Sequence, residues 1–266
     1  MLFMRRVGFT LVEIIVVISI TALLIALTLP ALQRSRMQTK TVVCSSNIRQ
    51  LTLALFTYES DNKSFPFAFD DTPKSPPPGG WSGDISYDRM GWWWLNYITD
   101  FSQKKRKTYL MCPAKSLNNQ QLQEDILCGN YGVNQSVCKS ATGPASRAEF
   151  SGTPLFSANL PNAAQTLLIV DSGYSMINWW HVTISPPYKL GNMIEDTSYV
   201  PGLKINTERT NLWVGQEKDA IEGRHPGKTV NVGFVDGHVS RKQADNLLVE
   251  ETESNYKNRT PLWRLK

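Results

Sequence analysis

From Phe9 to Leu29 nearly every position is apolar, and the one strongly polar side chain in the run is Glu13. A helix rises ~1.5 Å per residue, so ~20 such residues cover the ~30 Å hydrocarbon core of a bilayer. The run therefore predicts a transmembrane helix over residues 9–30. Arg5 and Arg6 precede it, which orients that end to the cytoplasm and the remainder to the other side. Beyond Pro30 the pattern becomes periodic. Cys44, Ile48, Leu51, Leu55 and Tyr58 recur at steps of four and three, with Arg49, Gln50, Thr52 and Glu59 expected on the opposite face, the signature of an amphipathic stem helix over 31–62. Either one rod runs through both segments or two helices break at Pro30, whose missing N–H and ring clash favour a kink. Asp61-Asn62 and then Phe65-Pro66 end the stem.

The rest, residues 63–266, reads as a globular head of short elements. Thr72 to Gly83, rich in proline and glycine, predicts a surface loop. Trp92-Trp93-Trp94-Leu95-Asn96-Tyr97-Ile98 predicts a short aromatic helix or strand, and since three adjacent rings cannot all face one way, core plus one exposed ring is expected. Thr108 to Pro113 reads as a strand, and Thr166 to Asp171 as a buried central strand. Thr229 to Val235 and His238 to Arg241 flank Asp236-Gly237, which predicts a hairpin near 229–242 with a type I′ turn. From Leu247 onward a short helix and a loose tail are expected. The class is α+β: a long N-terminal α-helical stem packed on a small antiparallel β-sheet head.

Composition narrows the chemistry. Without the first thirty residues about two hundred remain, enough for one domain with its own core. The formal charge of +5 includes Arg5 and Arg6, and so modest an excess makes no case for nucleic acid. Lys104-Lys105-Arg106-Lys107 is read as a solvated turn. The four cysteines, Cys44, Cys112, Cys128 and Cys138, can pair in three ways in an oxidising compartment. A Cys128–Cys138 bridge would close a short loop, and Cys44–Cys112 would staple the stem to the head, each adding ~3 kcal/mol by loop entropy. No cysteine pair has C-x2-C spacing, which argues against zinc. His225, Asp236 and His238 are weak metal candidates. No nucleophile motif, phosphate-binding loop or carboxylate pair marks an enzyme, and no cofactor is implied.

A cleaved secretory signal would also begin with basic residues and an apolar run. Here, however, Leu29-Pro30-Ala31-Leu32-Gln33-Arg34 continues into a helical pattern, and Glu13 costs at least ~2.5 kcal/mol in hydrocarbon unless it has a partner. Gly8-Phe9-Thr10-Leu11-Val12-Glu13 resembles the processing site of type IV prepilins and type II secretion pseudopilins. The resemblance implies cleavage after Gly8 by prepilin peptidase, methylation of the new amino terminus at Phe9, and an assembly role for Glu13 against the amine of a neighbouring subunit. It also implies residues 1–8 as leader and Pro30 as helix kink. The chain further resembles prepilin-like proteins with a C-terminal H-X9-DG region, through Cys44 to Leu51, Tyr58 to Asn62, Cys112-Pro113, Tyr131 to Asn134, and Arg224-His225-Pro226 leading to Phe234-Val235-Asp236-Gly237-His238-Val239. Ten residues, not nine, separate His225 from Asp236.

The expectation is a non-enzymatic subunit of a type II secretion pseudopilus or type IV pilus-like filament. Its partners would be prepilin peptidase, other pilin or pseudopilin subunits and the inner membrane, crossed once, with the head in the periplasm or on an extracytoplasmic filament. The alternative is an anchored, exported carbohydrate- or surface-binding protein that stacks polysaccharide rings on Trp81, Trp92, Trp93, Trp94, Trp179 and Trp180.

Overall fold

The structure is a computed structural model that describes residues 10–73, 75–77, 91–99, 108–143, 145–184, 198–210, 212–253, 255–260 and 262–264. Gly8, Phe9, Trp81 and the basic run 104–107 lie outside them. The chain divides into two compact units, Met1–Thr39 and Lys40–Lys266.

Helix α1 (Leu11–Asn62) is continuous, with Pro30 inside it, so the one-helix alternative holds. It begins with a capping box: Glu13 Oε2 accepts from the Thr10 backbone N–H and the Thr10 hydroxyl, both at 2.8 Å, while Thr10 Oγ1 accepts from the Glu13 N–H. In the first unit the apolar side chains from Leu11 to Leu29 are exposed on every side of the helix. The hydroxyls among them are satisfied internally: Ser19 donates to the Ile15 carbonyl, Thr21 to those of Val17 and Ile18, and Thr28 to that of Ile25. The helix is long and apolar enough to cross a membrane.

In the second unit α1 buries Thr41, Cys44, Asn47, Ile48, Leu51, Thr52, Leu55 and Glu59. Thr52 and Glu59 therefore lie inward, against the sequence expectation, while Arg49 and Gln50 are exposed as expected. Thr52 follows Ile48 by one helical turn and so shares its face. Glu59 is compensated by accepting the Ser157 backbone N–H. Lys63, with φ of 58°, closes the helix by donating its N–H to the Glu59 carbonyl at 2.7 Å.

The head continues through β1 (Phe69–Asp70), β2 (Trp92–Trp93), α2 (Trp94–Ile98), α3 (Gln120–Glu124), β3 (Tyr131–Asn134), β4 (Leu167–Asp171), β5 (Met176–Ile177), α4 (Glu217–Glu222), β6 (Thr229–Phe234), β7 (Val239–Gln243), β8 (Val249–Thr252) and β9 (Asn255–Asn258). The main sheet has five strands in the order β5-β3-β4-β6-β7. Its pairings are antiparallel except β3 with β5, which is parallel. Strands β4 and β6 are buried along their whole length, as a central strand with both faces covered requires.

Three local expectations change. Thr108 to Pro113 is not a strand: Thr108–Leu110 forms a 3-10 turn, and the Cys112 N–H goes to Asn130 Oδ1 at 3.0 Å instead of to a ladder. The hairpin is present, but its loop is Val235-Asp236-Gly237. The Phe234 N–H donates to the His238 carbonyl and the Gly237 N–H to the Phe234 carbonyl. Of the loop residues only Gly237 has positive φ, 92°, so this is a type I turn closed by a left-handed glycine rather than type I′. Among its described residues the C-terminal segment after Leu248 is neither helical nor loose. It forms the β8–β9 hairpin, and Leu262 and Trp263 are buried, with Trp263 Nε1 donating to the Leu247 carbonyl at 2.7 Å.

α1 seats on the sheet at Gly233. A Cβ there would stand 2.4 Å from Thr52 Oγ1 and 2.8 Å from Ile169 Cγ2. Gly233→Ala is expected to destabilise the full-length chain by ~1–3 kcal/mol, the usual cost of overpacking. Adding Thr52→Ala should recover part of that loss. Urea midpoints in detergent measure both, and strictly additive effects would disprove this close approach.

Candidate functional site

Four elements converge on one buried point. Cys44 comes from α1, Cys112 from the turn after Leu110, Asp171 from the end of β4, and His225 from the segment joining α4 to β6. That segment begins at Gly223, whose φ of 78° reverses the chain at the helix end, and both Arg224 and His225 are buried. One ligand atom from each of the four residues lies within 4.8 Å of those of the others. Cys44 Sγ is 3.3 Å from Cys112 Sγ and donates to Asp171 Oδ1 at 3.0 Å. His225 Nε2 is 3.2 Å from Asp171 Oδ2.

Three of the four side chains have an outer partner, and the Cys112 backbone N–H is held by Asn130. Thr41 Oγ1 is 3.1 Å from His225 Nδ1. The Asn231 backbone N–H donates to Asp171 Oδ2 at 2.7 Å, and its side-chain amide lies 3.2 Å from His225 Nε2. Tyr131 O–H donates to Cys44 Sγ at 3.4 Å and accepts from Asn47 Nδ2 at 3.1 Å. One layer further, Arg224 and Asp219 form a fully buried ion pair with Nη2 and Oδ2 2.8 Å apart. Arg224 also donates to the carbonyls of Asn130 and Ser172 at 2.8 and 2.7 Å, and Tyr199 O–H donates to Asp219 Oδ2 at 2.8 Å.

Burial opposes charge on all four groups, and their contacts answer it unequally. Burial pushes the Cys44 thiol well up, and its neighbours Cys112 and Asp171 push the same way. For Cys112 burial also pushes up, but hydrogen bonds with Cys44 and His225 prevail and bring it below the ordinary thiol range. Burial likewise opposes the Asp171 carboxylate, which His225, Arg224 and the Asn231 N–H nonetheless hold below its ordinary value. Burial would lower His225, but Asp171 and Cys112 raise it to about 9. Thiol, imidazole and carboxylate together are nucleophile chemistry in an open cleft. Here no member is more than 4% exposed, so a substrate has no approach. The same donors around one buried point are metal-ligand chemistry.

The sequence candidates are placed as follows. Cys44 and Cys112 are adjacent, and all four cysteines are unbonded. Cys128 Sγ instead donates to Asp125 Oδ2 at 3.2 Å. His225, Asp236 and His238 are not brought together. His225 bridges to Thr229 at the start of β6, and Asp236 lies beyond that strand's far end. Six residues rising ~3.4 Å each separate the two ends. Asp236 and His238 pair with each other on the hairpin turn. Of the ring-stacking candidates, Trp93, Trp94, Trp179 and Trp180 are buried. Trp92 is half-buried, with Nε1 donating to the Ser75 carbonyl at 2.9 Å. The sequence reading missed Asp171. The available signal was a carboxylate ending an otherwise wholly apolar strand, since a buried charge demands partners.

Residues 35–154 match the model of a family described as a protein of unknown function (DUF1559). The match covers a little under half of the chain. It includes Cys44 and Cys112 but stops before Asp171 and His225. No curated protein and no solved structure matches the chain.

A second concavity is lined by Phe69, Gln135, Arg147, Met176, Asn178 and His181, among others. His181 Nδ1 accepts from the Asn178 N–H at 3.0 Å. Burial, then the charges of Arg209 and Arg147, push its imidazole down to about 3. In the unfolded chain a histidine titrates near ~6.5. The unfolded state therefore binds the proton first, and stability should fall as pH drops from about 6.5 toward 3 and be level above, by up to ~1.4 kcal/mol per pH unit for this group. His181→Gln should flatten the difference between urea midpoints at neutral and mildly acidic pH. An unchanged difference would remove His181 as its source.

Proposed function

We propose that this chain is an exported, membrane-anchored, pilin-like protein, cut after Gly8 and assembled through its first helix as a subunit of a type II secretion pseudopilus or type IV pilus-like filament. One observation carries the proposal. Directly behind Gly8-Phe9, the residues from Leu11 to Leu29 expose apolar side chains all round one helix, and the carboxylate of Glu13 is the only acid among them. Such a surface needs lipid or like helices around it. The hydroxyls of Ser19, Thr21 and Thr28 bond within the helix, which suits a medium that offers no water.

In this reading prepilin peptidase removes residues 1–8 and frees the Phe9 amine. The helix then holds the chain in the inner membrane by a single pass, with the head outside the cytoplasm. Glu13 accepts the amine of an incoming subunit, because an unpartnered charge in hydrocarbon is costly. The protein acts as a structural subunit and not as an enzyme. The carbohydrate-binding alternative loses force because four of its six tryptophan rings are packed in the core.

Glu13 has two separable duties, capping α1 through Thr10 and neutralising an amine. Glu13→Gln keeps an oxygen for the cap and loses the charge, whereas Glu13→Val loses both. Both variants are expected to be cleaved and inserted like wild type, with mature mass beginning at methylated Phe9. Both should assemble poorly, the unpaired buried amine costing ~3–5 kcal/mol. The readout is the ratio of cleaved membrane protein to protein in sheared filaments or crosslinked oligomers. Normal assembly of Glu13→Gln would reduce Glu13 to a cap, and normal cleavage of Gly8→Val would sink the prepilin reading.

A further inference from the structure

We propose that Cys44, Cys112, Asp171 and His225 form a structural zinc site that fastens the second half of α1 to the sheet of the head. Two sulfurs, one carboxylate and one imidazole make a complete four-ligand set for Zn2+, and four protein ligands leave no open position for substrate. With Zn–S near 2.3 Å and Zn–N or Zn–O near 2.0–2.1 Å, the edges of a tetrahedron are about 3.3–3.8 Å. Here the sulfurs are 3.3 Å apart, the two Asp171 oxygens divide between their neighbours, with Oδ1 3.0 Å from Cys44 Sγ and Oδ2 3.2 Å from His225 Nε2, and one ligand atom from each residue lies within 4.8 Å of the others. Binding would require small side-chain adjustments that turn one Asp171 oxygen to the ion.

The surroundings are those of a built site. A ligating histidine characteristically gives its other ring nitrogen to an outer partner that fixes its orientation. Thr41 Oγ1 stands 3.1 Å from His225 Nδ1, so Nε2, which also has the Asn231 amide at 3.2 Å, faces the cluster. Asp171 is oriented by the Asn231 backbone N–H, and Cys44 Sγ receives the Tyr131 O–H. The Cys112 backbone is held by Asn130, whose carbonyl accepts from Arg224. Two thiolates and a carboxylate around Zn2+ leave one net negative charge, and the guanidinium of Arg224 lies one layer away. The mixture of soft sulfur with nitrogen and oxygen in a closed set favours zinc over calcium or magnesium, which take oxygen ligands.

The competing fate of the same sulfurs is a Cys44–Cys112 disulfide, which would abolish the ligand set. This inference does not depend on the filament proposal, because all four ligands lie in the Lys40–Lys266 unit. The test uses the full chain, purified in detergent from its native envelope and analysed for zinc content and thiol state, then stripped and titrated with Co2+. One zinc per chain is expected, with a cobalt spectrum showing sulfur-to-metal charge transfer and the strong visible bands of tetrahedral coordination.

Cys112→Ser and His225→Gln should each weaken zinc binding by at least about 100-fold, and Thr41→Val by about 10-fold, in line with the cost of outer-shell substitutions. Asp236→Asn should bind as wild type. The unmutated chain's cobalt spectrum decides the matter even if a ligand variant fails to fold. A Cys44–Cys112 disulfide without zinc in the native material would overturn the proposal. So would reduced, folded chain that gives no cobalt–thiolate band.

Discussion

A carboxylate with no exposed surface must be compensated where it stands, and Asp171 stands at the end of the central strand β4 with 0% exposure. Its partners come from three separate parts of the chain: the Asn231 N–H of β6, the His225 imidazole ahead of that strand, and the Cys44 thiol of α1. This single group therefore ties the offset between two central strands to the position of the helix on the sheet. A slip of β6 by one residue would turn Asn231 to the other face and take its N–H away from the carboxylate. The Arg224–Asp219 pair repeats this logic one layer on. Buried pairs of this kind contribute less to net stability than to a single geometry, because removing either partner strands the other.

The close seating of α1 serves the same point. Cys44 reaches Asp171 because the helix lies low on the sheet, and it can do so because Gly233 has no side chain opposite Thr52. Thr41, Cys44 and Ile48 fall on one stripe, so the helix that buries the apolar core also delivers Cys44 and the outer partner of His225. Packing and polar chemistry are not separate layers here.

The elements legible in the sequence are those written in a local period. The wholly apolar run and the stripe from Cys44 to Leu55 specify α1, and the uninterrupted apolar Leu167 to Val170 specifies β4. Thr52 and Glu59 were misjudged because a polar side chain reads as outward unless its tertiary partner is known, and those partners, Gly233 and the Ser157 N–H, lie far along the chain. The turn type was missed because Asp-Gly suggests two positive φ angles, whereas the loop begins one residue earlier at Val235, a β-branched residue for which positive φ is an outlier. The convergent cluster was illegible for a different reason. Its members, at positions 44, 112, 171 and 225, have no common spacing, so no local motif brings them together. The buried carboxylate in an apolar strand was the one sign that a partner set had to exist.

Helix α1 has two kinds of surface, and they make different demands. From Thr41 to Glu59 one face of the helix is buried in the head. From Leu11 to Leu29 the apolar side chains are exposed and have no counterpart among the described residues, and in the proposed assembly lipid or neighbouring helices supply it. Glu13 belongs to this second half, and its hydrogen bonds to Thr10 satisfy the lone pairs without cancelling the charge. A capped carboxylate in hydrocarbon remains an anion seeking a cation. The apolar surface alone would hold helices together in many registers. In the proposed assembly the Glu13 charge, at the fifth position counted from Phe9, pairs with the amine at the first position of a neighbour, and that pairing selects one of them.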